Sequence, residues 1–212
     1  MFRLKNKELK LAIFLIWLFH LSGIIGIAWG DKTWFIQRTP LNLLACTALF
    51  IWIFPLNSYK KWIIFGIFFL FSMFAEWLGA NHSLLFGNYD YGNNLGMKVA
   101  GVPLFIGVNW ALLTFITAEL SSKIRSHFWI KSVIGAGLMV FLDVLIEQNA
   151  PNFDFWNFGD EVPLKNYITW FLLAFVFHLI YQKSTIKGNY DISLHLYLAQ
   201  VVFFAFFSFF PQ

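Results

Sequence analysis

Polar residues fall into short intervals along this chain. Between them run apolar stretches close to the roughly 20 residues a helix needs to cross hydrocarbon. Seven can be read: Leu11 to Trp29, Leu41 to Leu56, Trp62 to Gly79, Val102 to Ala118, Phe128 to Ile146, Tyr167 to Tyr181 and Ser193 to Phe210. The second and sixth are the shortest. Arg3, Lys5, Lys7 and Lys10 precede the first stretch as in a signal peptide, but it is long and no small-residue cleavage site follows, so it reads as a retained helix. The pattern predicts an all-α, polytopic membrane helix bundle of about seven transmembrane helices, a single transmembrane domain over residues 1–212.

Composition strengthens this reading. With 59% hydrophobic residues, 12% charged residues and a mean hydropathy of +0.66, the chain carries more apolar surface than a soluble domain of its length can enclose. Over seven spans, eleven of the 15 basic residues fall on one side (Arg3, Lys5, Lys7, Lys10, Lys60, Lys61, Lys123, Arg125, Lys131, Lys183 and Lys187), leaving Lys32, Arg38, Lys98 and Lys165 on the other. Cytoplasmic loops retain Lys and Arg, so the N-terminus is expected inside, in a multi-pass protein of the cell membrane. Eight of the 11 acids, Asp31, Glu76, Asp90, Asp143, Glu147, Asp154, Asp160 and Glu161, then fall in the outer half, where any active site is expected. The net charge of +4 is topogenic, spread over four segments, and calls for no nucleic-acid partner. The single Cys46 excludes a disulfide framework or thiolate metal site within one chain. The last stretch lacks the lysine that a retinal Schiff base requires.

Against this apolar background the polar positions inside or beside spans stand out. His20, Asn42 and Thr47 are the sort of isolated groups that bond between helices. Glu76 sits near the end of the third stretch, and its bland roles are snorkelling to water or pairing with Lys98. Gly79 and Gly87 suit a helix end and a tight turn, and the aromatic loop that follows, with Tyr89 and Tyr91, reads either as an interface belt or as a lid. Asp143 and Glu147 are four residues apart, hence on one helical face. A carboxylate in an apolar span is expensive and is by default a functional candidate. The motif V-P-L-x5-W occurs twice, ending at Trp110 and at Trp170, and predicts a two-helix repeat in which 62–118 matches 128–181. Asn109 and Asn166, beside these tryptophans, are candidate polar wall residues. Asp154 and Glu161 read as exposed loop acids.

Together, E-x2-G-x6-F-G-x-Y-x-Y (Glu76 to Tyr91), G-V-P-L with Trp110, L-D-x3-E (Asp143, Glu147), F-W-x-F (Phe155 to Phe158) and V-P-L-x-N-x3-W (Val162 to Trp170) resemble the integral-membrane carotenoid biosynthesis proteins, which include carotenoid hydratases. Where that family commonly shows Asp-Pro this chain has Glu147-Gln148, and where a second Trp is usual it has Phe158. The resemblance implies acid-catalysed hydration of the terminal double bond of an acyclic carotenoid end group, with no cofactor and no metal. Its partners would be the carotenoid substrate, membrane lipid and other carotenoid enzymes. Such a reaction needs a proton donor, a wall that tolerates a cation, a positioned water and an apolar slot. Asp143, Glu147 and Glu76 are the candidate acids, and Tyr89, Tyr91, Trp156, Trp110, Trp170, Asn109 and Asn166 the candidate substrate-binding residues. A proton-coupled transporter or isoprenoid carrier would use the same paired carboxylates. A metal site would have to recruit His82 beside the acids.

Overall fold

The computed structural model describes residues 6–159, 161–184 and 186–211; Arg3, Lys5 and Asp160 lie outside them. Eight helices follow in order: α1 (Asn6–Trp29), α2 (Lys32–Ile36), α3 (Thr39–Ile53), α4 (Tyr59–His82), α5 (Leu104–Ser122), α6 (Phe128–Glu147), α7 (Leu164–Lys183) and α8 (Tyr190–Phe209). Six of them, α1 and α4 to α8, are long and apolar enough to cross a membrane. The sixth apolar stretch becomes a full 20-residue helix, α7. The second becomes α3, whose 15 residues extend about 22 Å and fall short of a hydrocarbon core roughly 30 Å thick. Where the sequence pattern predicts seven spanning helices, the described residues hold six of spanning length and one apolar helix too short to cross on its own.

α5 is the hub. Within its apolar window 72% of residues are buried, against 33 to 39% in the other five long helices, and it packs on α3, α4, α6, α7 and α8. The outward faces of its neighbours keep large apolar groups exposed, among them Leu70, Phe74, Leu172 and Val176, as a helix facing lipid must. α5 and α7 start alike: Pro103 and Pro163 each hold an extended N-cap conformation just before the first helical residue, where the missing N–H costs nothing. α4 does not stop at Gly79. It runs on to His82 and ends at Ser83, which takes the left-handed conformation (φ 53°) and donates its N–H to the Gly79 carbonyl.

Two long connections close one end of the bundle. Between α4 and α5 lie β1 (Asp90–Tyr91), β2 (Lys98–Val99) and β3 (Val102–Pro103); between α6 and α7 lies β4 (Trp156–Asn157). β1 pairs antiparallel with β4, setting Tyr91 opposite Trp156, so the two connections are stitched into one cap. The Asp154 carboxylate accepts from the Asn93 N–H at 2.9 Å, and the backbone of Gly92 and Asn94 bonds across to Phe155 and Asp154. Asp154 is exposed, as the sequence suggests, but it is a clasp between the loops and not a bystander. A Cβ on Gly92 would come within 2.2 Å of the Asp154 carboxylate, so this crossing requires glycine.

Candidate active site

Three carboxylates converge beneath the cap. Glu76 lies in the last two turns of α4, and Asp143 and Glu147 in the last turns of α6. A helix C-terminus is the end where negative charge is least welcome, so these positions are not explained by helix stability. All three are buried, at 4%, 1% and 5% exposure. Gly79, one turn beyond Glu76, is where the aromatic loop lies down on α4. A Cβ there would meet Phe86 at 2.6 Å and the Tyr89 hydroxyl at 2.7 Å. Its role is close approach and not helix termination.

Glu76 accepts three side-chain hydrogen bonds. Tyr89 Oη donates to its Oε2 at 2.5 Å, Tyr91 Oη to the same oxygen at 2.7 Å, and Trp110 Nε1 to Oε1 at 2.8 Å. Lys98, the partner of its bland reading, instead donates to the Tyr91 carbonyl at 2.7 Å. Both phenols are pushed above the ordinary tyrosine range, first by burial and then by the neighbouring Glu76 carboxylate, so they remain donors. Trp110 also stacks on Trp170, with centroids 3.7 Å apart and planes at 19°, so the two tryptophans of the V-P-L-x5-W motifs meet face to face.

The α6 pair is bonded differently. Asn166, on the first turn of α7, reaches both carboxyls with one amide, at 3.0 Å to Glu147 Oε1 and 3.3 Å to Asp143 Oδ2. Trp156 Nε1 donates to Glu147 Oε2 at 2.7 Å. Asp143 Oδ1 has no hydrogen-bond partner, the single such buried side-chain atom among the described residues. An orphaned buried oxygen marks the place for a proton or a water.

A small cavity lies against these groups. It offers about 20 Å³ to the centre of a water molecule, room for one. Glu76, Glu147, Tyr89, Tyr91, Trp156, Asn166 and Trp170 line it, so seven of the ten candidates meet there. Asp143 and Trp110 stand directly behind, bonded to Asn166 and Glu76. Asn109 does not join them. It opens into a second cavity on the far side of α5, because neighbouring helical residues point about 100° apart and Trp110 takes the direction of Glu76. Phe86, Ile106 and Phe158 complete the lining. Phe86 is the Phe of the F-G-x-Y-x-Y motif, whereas no sequence signal marks Ile106 as more than apolar bulk. His82 is on the surface, edge-on to Trp77, and takes no part.

Residues 38–211 match the family model described as carotenoid biosynthesis protein. The chain belongs to the carotenoid biosynthesis protein family. No curated protein and no solved structure matches it. Family membership makes a carotenoid the substrate class, and the matched region includes all three carboxylates and the whole cap.

Proposed function

We propose that this family member adds water across the terminal trisubstituted double bond of an acyclic carotenoid end group, giving a tertiary alcohol. The observation that carries the reading is the Asp143–Glu147 pair, with its orphaned Oδ1, beside a largely aromatic cavity with room for one water. The pair holds one transferable proton, and Glu147, the member that faces the cavity, delivers it to the less substituted alkene carbon. The π electrons form the new C–H bond and leave a tertiary cation. The faces of Tyr91, Trp156 and Phe158 and the held charge of Glu76 stabilise it. Water in the cavity closes the C–O bond, and its spare proton returns to the carboxylate pair. No electron is gained or lost, so the chemistry asks for no redox partner. Asn166, bonded to both acids, fixes their separation.

The basic residues support an inside N-terminus and a cap on the outer face. A reporter fused at Gln212, a residue outside the described set, should then report from outside. The reaction itself is tested with cells that make an acyclic carotenoid, with and without this chain. The pigment should gain the mass of one water per reacted end while its visible spectrum stays unchanged, because the terminal bond is isolated from the chromophore. Loss of hydrogen or a shifted spectrum would indicate desaturation or cyclisation and end the hydratase reading.

A further inference from the structure

The acid cavity, with room for one water, can take only the tip of an isoprenoid chain, so the rest of the chain must lie in neighbouring space. Two further openings provide it. A second cavity of about 90 Å³ shares Ile106 and Trp156 with the acid cavity and runs between α5, α3 and α8. A groove of about 460 Å³ shares Thr39, Asn42 and Phe203 with that second cavity and opens between α1 and α3. Along its rim Leu41 is 59% exposed and Trp34 48%, on faces that meet lipid. At Gly23 the α1 backbone comes so near Phe203 that an added Cβ would stand 3.2 Å from the ring.

We propose that groove, middle cavity and acid cavity form one slot, which admits an isoprenoid chain end-first from the bilayer between α1 and α3. Its direction of travel rests on the hydration reading; its presence does not. The lining chemistry selects the occupant. Phe105, Phe155, Trp156, Phe203 and Phe204 offer flat faces to a flat unsaturated chain, and no lining residue of the middle cavity is charged. The one cation of the groove, Arg38, is held over the Trp34 ring at 4.9 Å, at the mouth. Midway, the Asn109 and Gln200 amides have no protein partner among the described residues, and His20 spends Nδ1 on the Ile16 carbonyl at 2.7 Å. They give the slot a neutral polar waist through which a bare hydrocarbon, or one carrying a hydroxyl, passes without leaving a buried charge. The short α3 makes the lateral opening, and α1, which lies outside the family match, supplies its other wall.

The test is contact. Photoleucine, whose diazirine sits in a short aliphatic side chain, is placed at Ala45 inside the groove or at Leu70 on the lipid face of α4, in the full chain, in membranes containing an acyclic carotenoid. Irradiation should attach carotenoid at Ala45 and not at Leu70. Phospholipid acyl chains alone at Ala45, or carotenoid equally at both positions, would overturn the slot. Repeating the labelling with Glu147→Gln separates the two readings: an adduct that persists while conversion stops supports slot and acid together. An adduct with undiminished conversion keeps the slot and removes Glu147 from the chemistry. Conversion with no adduct at Ala45 keeps the reaction and discards the slot. As a second variant, Ala45→Trp should lose most of its conversion at an unchanged inserted amount, and full conversion by this plugged protein would count against the proposal.

Discussion

Glu119 in α5 and Glu76 in α4 are buried to nearly the same degree, 5% and 4% exposed, at opposite ends of the bundle. Glu119 accepts the Gly188 N–H at 3.0 Å and the Tyr181 hydroxyl at 3.4 Å, and lines none of the three cavities. Its work is to pin the connection between α7 and α8, next to Lys61, which donates to the Lys187 carbonyl at 3.1 Å. The carboxylates beneath the cap combine burial with two things Glu119 lacks: a cavity beside them and, at Asp143 Oδ1, a fully buried oxygen with no hydrogen-bond partner among the described residues. Burial of an acid therefore does not identify a site here. A buried oxygen without a partner, in a carboxylate bonded through Asn166 to the wall of a cavity, marks the candidate.

The contrast is broken most directly at the α6 pair. Glu147→Gln keeps the Trp156 and Asn166 contacts within reach but removes the transferable proton, and conversion per inserted protein should fall on the order of a hundredfold to ten-thousandfold. Asp143→Asn should fall comparably, and pigment conversion normalised to inserted protein checks both. Undiminished conversion in both would reduce the acids beneath the cap to the standing of Glu119. Next comes Tyr89→Phe, which removes one of two donors to Glu76 Oε2. The loss of a hydrogen bond to a charged group, about 1.5–3 kcal/mol, should appear as a conversion lower by roughly ten- to a hundredfold. Glu119→Gln should leave conversion per inserted protein untouched and lower the thermal unfolding midpoint in detergent, by a cost of ~1 kcal/mol. The smallest effect is pH-dependent. The Tyr89 and Tyr91 phenols are raised in the folded protein above the ordinary value of 10.0, so the unfolded chain ionises them first. Their contribution is complete below pH 10 and is lost as pH rises beyond it, and Tyr91→Phe should flatten that alkaline decline in a melting series.

The sequence made the acids legible because a charged group in an apolar span has few bland explanations. Tyr89, Tyr91 and Asn166 are candidates through the aromatic loop, the repeated V-P-L motif and the family resemblance, and their polar tips all engage the carboxylates. What stayed hidden depends on direction and on long-range contact. Asn109 and Trp110 are adjacent in the chain but face different cavities, and only packing decides which. Gly79 looked like a helix end and is a landing site for Tyr89 and Phe86, a distinction held in atoms seven to ten residues away. The two-residue strands β1 and β4 carry no pattern of their own, and the clasp at Asp154 arises from their pairing. The short α3 was visible as a short apolar run, but nothing in its composition announced the opening beside α1.

The stacked Trp110–Trp170 pair has an optical consequence. Two indoles 3.7 Å apart and nearly parallel couple their electronic transitions, so the folded protein should carry an exciton couplet in its circular dichroism that neither ring produces alone. Because one ring belongs to α5 and the other to α7, the signal reports whether those helices have docked around Glu76. A polyene drawn up to Trp170 would also quench the pair's fluorescence. The protein thus contains its own chromophore for following assembly of the site and arrival of the pigment, with no added label.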